Sequence, residues 1–384
     1  MPPKSGRGRF AKAKGYSRAR PEGKTVSTVG RPILMLLCVS LAAAASEGSV
    51  TGHASAELQE DSNPTRSFIG QSSAVPGWTA ALLGTGAVTA RLAPGELSGA
   101  ATYELGARHY LSALPYPMDT LTQQLAAQGT YRLSPVSSVS LSGTARDRVG
   151  FQPHSDGERP YTHLEGVASF GLRLGQGASA QGSLGAQRFI LWDRDPVVFG
   201  YSFSSPVFRG QAAYAPNRHH GFGVGLSFEP RTYNAVAIRN GPTSLQGAET
   251  RRDSVFSAGV HYSYRGPVLL NSSYEFIEQD SNSYQQTNAR HRLSAGIGMA
   301  LPFRLSLLAQ GTLQFSHYPE GLPASALLLT EESENTSSVS VELARPVVAQ
   351  LDVQLRYGFY GASLHQNGFS YRRQLLSAGL AFRF

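Results

Sequence analysis

Lysine is missing from this chain after Lys24, and cysteine is nearly missing altogether, the one thiol being Cys38. A single cysteine closes no intramolecular disulfide and builds no Cys-rich zinc site, so neither staple is available to the fold. Long hydrophobic runs are equally scarce. The one candidate is ILMLLCVSLAAAA at residues 33–45, and nothing after it approaches the roughly 18 apolar residues of a transmembrane helix. Charged residues are only 16% of the sequence, against about 25% in ordinary soluble domains. If the chain enters a membrane, it does so as strands.

The formal charge of +8 and the isoelectric point of 9.6 point toward nucleic acid until their origin is traced. Residues 1–45 hold nine basic residues (Lys4, Arg7, Arg9, Lys12, Lys14, Arg18, Arg20, Lys24 and Arg31) and one acid, Glu22. The 34 basic and 26 acidic residues of the whole chain therefore leave 25 of each sign after Ala45. The remainder is neutral, and a nucleic-acid partner is not expected. Arg31 ahead of the apolar run, with small residues after it, fits a secretory signal peptide cleaved after Ala44, Ala45 or Ser46. Leu37 stands where a lipoprotein signal needs a small residue before Cys38. The long basic stretch ahead of Val26 and Val29 is unusual for a signal and suggests a start codon placed too early. The expected division is an N-terminal extension with signal peptide at 1–45 and a single domain at 46–384.

What is abundant is glycine, at 41 residues, with 17 Tyr and 18 Phe. They fall in a two-residue alternation. In the last fifteen residues, SYRRQLLSAGLAFRF, the positions Phe384, Phe382, Leu380, Ala378 and Leu376 share one face. Small or charged residues dominate the other. The same pattern recurs at Leu97–Leu105, Phe222–Phe228 and Phe256–Tyr264. It is cleanest at Leu351–Phe359, opposed by Gln350, Asp352, Gln354, Arg356 and Gly358. Tight turns are expected near Pro94-Gly95, Pro135, 175–177, Pro216-Asn217, Gly266-Pro267, Pro302 and Pro346. Long polar loops are expected near 60–77, 111–120, 148–161, 193–205, 230–250, 277–289, 317–336 and 361–370. Fifteen connections make sixteen strands, the irregular stretch 178–215 being the place for a bulge. Short turns alternating with long loops predict an all-β fold: a transmembrane antiparallel up-and-down β-barrel of about sixteen strands. Aromatics near the strand ends (Tyr131, Tyr214, Tyr264 and Phe384 at the turns, Trp78, Tyr110 and Phe359 at the loops) are expected in the two interfacial girdles.

The terminal strand resembles the C-terminal signal of bacterial outer-membrane β-barrels. That resemblance implies an outer-membrane location, lipid as one partner, and a barrel assembly machinery that reads Phe384, Phe382 and Leu380. With the Asp61-Ser62-Asn63 segment after the first strand, residues 49–384 resemble porin-like barrels that accompany exopolysaccharide export systems. This implies a channel or export port for hydrophilic solutes, anionic solutes and polysaccharide among them, with a periplasmic polysaccharide export partner.

The residues themselves offer little catalysis. His219-His220 at a turn suits solvation better than metal binding, and His53, His163 and His261 fall among so many serines that a Ser/His neighbour is expected by chance. No catalytic, cofactor or metal residue is assigned, and the chain is read as a non-enzyme. An outer-leaflet lipid-modifying enzyme and a structural or anchoring barrel with a closed lumen stand as the other readings. Alternation places Arg91, Arg132, Arg173, Arg209, Arg265 and Arg383 on the water-facing side near the short turns, an electropositive mouth that favours anions.

Overall fold

The alternating segments form strands long enough to cross a bilayer, where about 9–11 tilted residues suffice. The structure, a computed structural model, describes residues 47–63, 76–93, 96–112, 119–150, 160–192, 200–238, 249–320, 337–364 and 369–384. The extension and signal-like run at 1–45 lie outside them. In chain order the strands begin with β1 (Glu47–Asp61), β2 (Gly77–Ala93), β3 (Leu97–Tyr110), β4 (Thr120–Arg132) and β5 (Ser137–Gly150). Next come β6 (Tyr161–Arg173), β7 (Ala178–Leu191), β8 (Phe203–Tyr214), β9 (His220–Val236) and β10 (Thr250–Arg265). The last are β11 (Val268–Ser281), β12 (Asn288–Leu301), β13 (Leu305–His317), β14 (Ser337–Val348), β15 (Leu351–Leu364) and β16 (Phe369–Arg383). Each pairs antiparallel with its sequence neighbours, and β1 pairs with β16 to close the barrel.

Closure is a physical necessity in hydrocarbon, where an open edge would leave a row of backbone groups without partners. At the seam Gly52 N–H donates to the Phe384 carbonyl at 2.8 Å, and Phe384 N–H donates back to Gly52 at 3.0 Å. The Phe384 ring occupies the space over Gly52, so a Cβ there would stand 2.1 Å from ring atom Cζ. Only glycine leaves the terminal ring its seat. Phe382 lies beside it, with ring centroids 6.1 Å apart.

The two faces separate as the alternation requires. Leu141, Leu184, Leu226, Leu355 and Leu380 are exposed, although each lies in mid-strand. Side chains this greasy and this bare form a continuous band only where the solvent is lipid. The opposite face carries most of the serines, glutamines and charges and encloses the lumen.

Several connections differ from the sequence expectation. Pro346 is a strand residue opposite Asp352, and the turn falls at 349–350. The ladder shifts register between Pro346 and Val348, as suits a residue that cannot donate a hydrogen bond. No register shift occurs between β7 and β8. The irregularity lies between β8 and β9, whose bridges skip from Ser204–Thr232 to Phe208–Phe228, where Pro206 faces Pro230. Two connections expected to be long are short, 282–287 and 365–368, because β11, β12, β15 and β16 run on through their polar ends. Likewise β9 continues to Val236, inside the expected loop at 230–250. Tyr110, expected in an outer girdle, is buried on the lumen side opposite Thr79.

Two outcomes test the wall and its seam. Leu355→Arg directs a charge into the lipid band and should lower folding stability in vesicles by up to about 2–4 kcal/mol, whereas Gln354→Arg, facing the lumen, should change it little. Denaturant titration of both variants in lipid vesicles checks the phase. Deleting Phe384, or replacing Gly52 by leucine, should leave unassembled protein in the periplasm, read by loss of the heat-modifiable band in outer-membrane fractions.

Candidate functional site

The lumen has two unlike ends. Strand alternation places Arg132 on β4, Arg173 on β6, Arg209 on β8, Arg265 on β10 and Arg383 on β16 along its wall near the short turns. Arg91 lies on β2 opposite Glu47 and Ser98 in the ladder; its side chain is outside the described set. Two of these arginines are neutralised. Arg209 forks onto Glu165 with N–O distances of 2.7 and 2.9 Å, and Arg383 donates to Asp352 at 2.9 Å. Arg132, Arg173 and Arg265 are exposed, and among the described residues they make no ion pair. Arg132 and Arg173 open into one cavity of about 730 Å³ that Ser138, Gln181, Gln211 and His261 also line. Gln211 donates to Gln181 at 2.8 Å. Two guanidinium forks among hydroxyls and amides can hold carboxylate, phosphate or sulfate groups and hydroxylated chains.

The end near the long loops is tightly knit instead. Arg373 binds Asp61 through Nη2 at 2.5 Å and Nε at 3.0 Å, with side-chain exposures of 2% and 1%. Asn63 N–H donates to Asp61 at 2.9 Å, and the Asn63 amide donates to the Arg372 carbonyl at 3.1 Å. Ser62 N–H donates to the Gln374 carbonyl at 3.0 Å and its hydroxyl accepts from Gln374 N–H at 2.8 Å. The Asp61-Ser62-Asn63 segment is thus a clasp that fastens β1 to β16 at the loop end of the seam.

A second knot lies on the β6–β11 side. Arg251 donates to Asp253 at 2.6 Å, and Asp253 also accepts from Gln279 at 2.7 Å and Ser281 at 2.6 Å. Arg231 donates to Glu229 at 2.7 Å, which accepts from Gln187 at the same distance. Beside them Tyr161, Phe189, Phe203 and Tyr233 form a ladder with successive ring centroids 5.4, 5.7 and 5.3 Å apart. Guanidinium groups lie over its faces: Arg148 at 4.8 Å from Tyr161, Arg231 at 4.7 Å from Phe203 and Arg251 at 3.9 Å from Tyr233. Tyr161, Tyr233, Arg148, Arg251 and Asp253 are all buried.

This second knot was not legible as a site, because 230–250 reads as a polar loop. The signal was present in Glu229-x-Arg231 and Arg251-x-Asp253. Opposite charges two residues apart share one strand face and neutralise each other there.

His163, His219 and His220 contact polar neighbours, and His261 stands opposite Ser273 in the ladder. His163 Nε2 lies 3.1 Å from Gln187 Oε1 rather than beside a serine. His219 Nδ1 contacts the Arg265 carbonyl at 2.7 Å, and His220 Nδ1 contacts the Tyr262 hydroxyl at 3.0 Å. Among the described residues no group of three or more His, Cys, Asp and Glu side chains could hold a metal ion.

No family model matches the sequence, and no curated protein matches it. Solved structures do match in fold. OprB of Pseudomonas putida is 8% identical, with 93% of this chain and 97% of that one covered and a TM-score of 0.53. A bacterial polysaccharide outer membrane secretin is 9% identical over 87% of this chain and 98% of that one, with a TM-score of 0.43. The TodX monoaromatic hydrocarbon channel is 9% identical over 90% and 91%, with a TM-score of 0.41. The fold is that of outer-membrane β-barrels of the porin kind.

The clasp makes a stability prediction. Asp61→Ala removes the carboxylate that Arg373 forks onto in a buried site and should cost about 3–5 kcal/mol, whereas Asp61→Ala combined with Arg373→Leu should recover most of that loss. Denaturant midpoints of the folded barrels in vesicles measure both.

Proposed function

We propose that this chain is an outer-membrane channel for hydrophilic, anionic solutes, reached after export through the signal-like run at 33–45. The short turns are assigned to the periplasmic side and the long loops to the outside, as loop lengths sort in such barrels. The observation that carries the reading is the set of exposed lumen arginines at the turn end, Arg132, Arg173 and Arg265, which make no ion pair among the described residues. Guanidinium groups around a water-filled mouth raise the local concentration of anions and repel cations. The hydroxyls and amides of Ser138, Gln181 and Gln211 between them suit an acidic polysaccharide handed over by a periplasmic export partner as well as a small anion.

A second reading has its own observation. The buried ion pairs and arginine-capped rings of the loop end suit a closed lumen, and then the barrel is a structural anchor. Single-channel recording in planar bilayers separates the two. A channel should conduct with anion preference that falls as salt rises, because screening shortens the reach of exposed charge. Replacing Arg132, Arg173 and Arg265 together by glutamine should move the reversal potential toward cation preference while leaving heat-modifiability intact. Cation preference in the unaltered barrel, or no conductance, overturns the anion-channel reading.

A further inference from the structure

The outward face of β7–β10 carries a polar row that neither the lumen nor the lipid band explains. The ladder aligns Arg188, Ser204, Thr232 and Arg252 on four successive strands, Arg188 opposite Ser204, Ser204 opposite Thr232, and Thr232 opposite Arg252. All four side chains are exposed, and they share the parity of Leu184, Phe208, Phe228 and Phe256, the exposed apolar row two outward positions deeper. The row therefore faces the membrane, not the lumen, and stands just beyond the band toward the long loops. Neither arginine makes an ion pair among the described residues. Strand spacing of about 4.8 Å puts the two arginine Cα positions roughly 14 Å apart.

The row lies between the apolar band and Trp192, which stands two outward positions beyond Arg188. Trp192, exposed one residue beyond β7, donates its indole N–H to the Thr162 hydroxyl at 2.8 Å, and that hydroxyl donates to Asp147 at 2.6 Å. An exposed tryptophan held this way belongs at headgroup level. The carboxylates facing outward nearby are Asp147 on β5, with Glu278 and Asp280 on β11. Asp280 stands opposite Ser254 and Glu278 opposite Phe256, both deeper than Arg252. Between the two arginines the row offers only hydroxyls.

We propose that this row holds the phosphate groups of anionic lipid headgroups in the outer leaflet. Each guanidinium presents a planar fork of N–H donors matched to phosphate oxygens, and Ser204 and Thr232 add hydroxyl donors between them. The acyl chains of the same lipid then lie down the wall over Pro206, Pro230 and the Phe208–Phe228 pair, whose rings are 6.3 Å apart. The site depends on outward position, so it stands whether the lumen is open or closed.

The test uses the full-length barrel folded in phosphatidylcholine bilayers doped with diphosphoryl lipid A, a glycolipid carrying two phosphates. Native mass spectrometry after release should show the glycolipid retained in preference to phosphatidylcholine. Arg188→Gln with Arg252→Gln should cut retention by roughly tenfold, since charge-assisted hydrogen bonds are the strong ones. Arg132→Gln with Arg173→Gln, altered only in the lumen, should leave retention unchanged. If the glutamine pair does not fold, Arg188→Lys with Arg252→Lys keeps the charge but loses the fork, and intermediate retention is expected. Equal retention of both lipids by the unaltered barrel, or undiminished retention by a folded glutamine pair, overturns the proposal. Displacement of the glycolipid by millimolar inorganic phosphate overturns it too, by identifying a free-anion site instead.

Discussion

The interaction on which everything else depends is the backbone hydrogen bond between strands in a medium that offers none of its own. Water satisfies an open sheet edge, whereas hydrocarbon does not, so the sheet must close. Closure fixes the register of β1 against β16, and with it which residues of every strand meet lipid. The seam is fastened at both ends by different means. At the turn end, the terminal carbonyl and N–H of Phe384 pair with Gly52 beneath its ring. At the loop end, Asp61, Ser62 and Asn63 grip Arg372, Arg373 and Gln374.

With the wall so fixed, most of the polar groups at membrane depth are forced inward, and their arrangement there is uneven. Toward the loops each lumen charge named above has a counter-ion, an amide or a ring face, as low-dielectric surroundings demand of buried charge. Toward the turns Arg132, Arg173 and Arg265 are exposed, and water solvates them where the described residues offer no ion pair. The contrast follows from solvation, since an arginine left bare at the depth of Arg373 would destabilise the barrel. The turn end thus holds both paired arginines, Arg209 and Arg383, and exposed ones without an ion pair among the described residues.

The outer surface obeys the same rule with a different solvent. Where the apolar band ends, Arg188 and Arg252 leave the hydrocarbon and need partners, which at that level are headgroups and water. Trp192 stands two outward positions beyond Arg188, just after β7, and Trp78 is exposed at the start of β2.

The period-two alternation, the absence of an apolar helix-length segment after Ala45 and the alternation of short turns with long loops were enough to read a closed barrel of sixteen strands from the sequence. Alternation is a local property: it depends only on which side of the backbone successive side chains leave. For that reason it also placed Leu355 outward and Gln354 inward. Strand ends were misread wherever polar residues continue a strand past the membrane, as at Val236 and Ser281, because polarity there reports solvent and not the end of the ladder. Pro346 was misread because proline marks turns in general yet is tolerated at a bulge. Tyr110 was misread because one aromatic at a strand end does not reveal which face it takes. Which arginine finds which carboxylate could not be read at all: Arg209 meets Glu165 across β6–β8, and Arg373 meets Asp61 from the opposite end of the chain. Those pairings depend on strand adjacency and stagger around a closed ring, which the tertiary structure alone decides, and among the described residues they leave Arg132 and Arg173 without an ion pair while Asp61 binds Arg373.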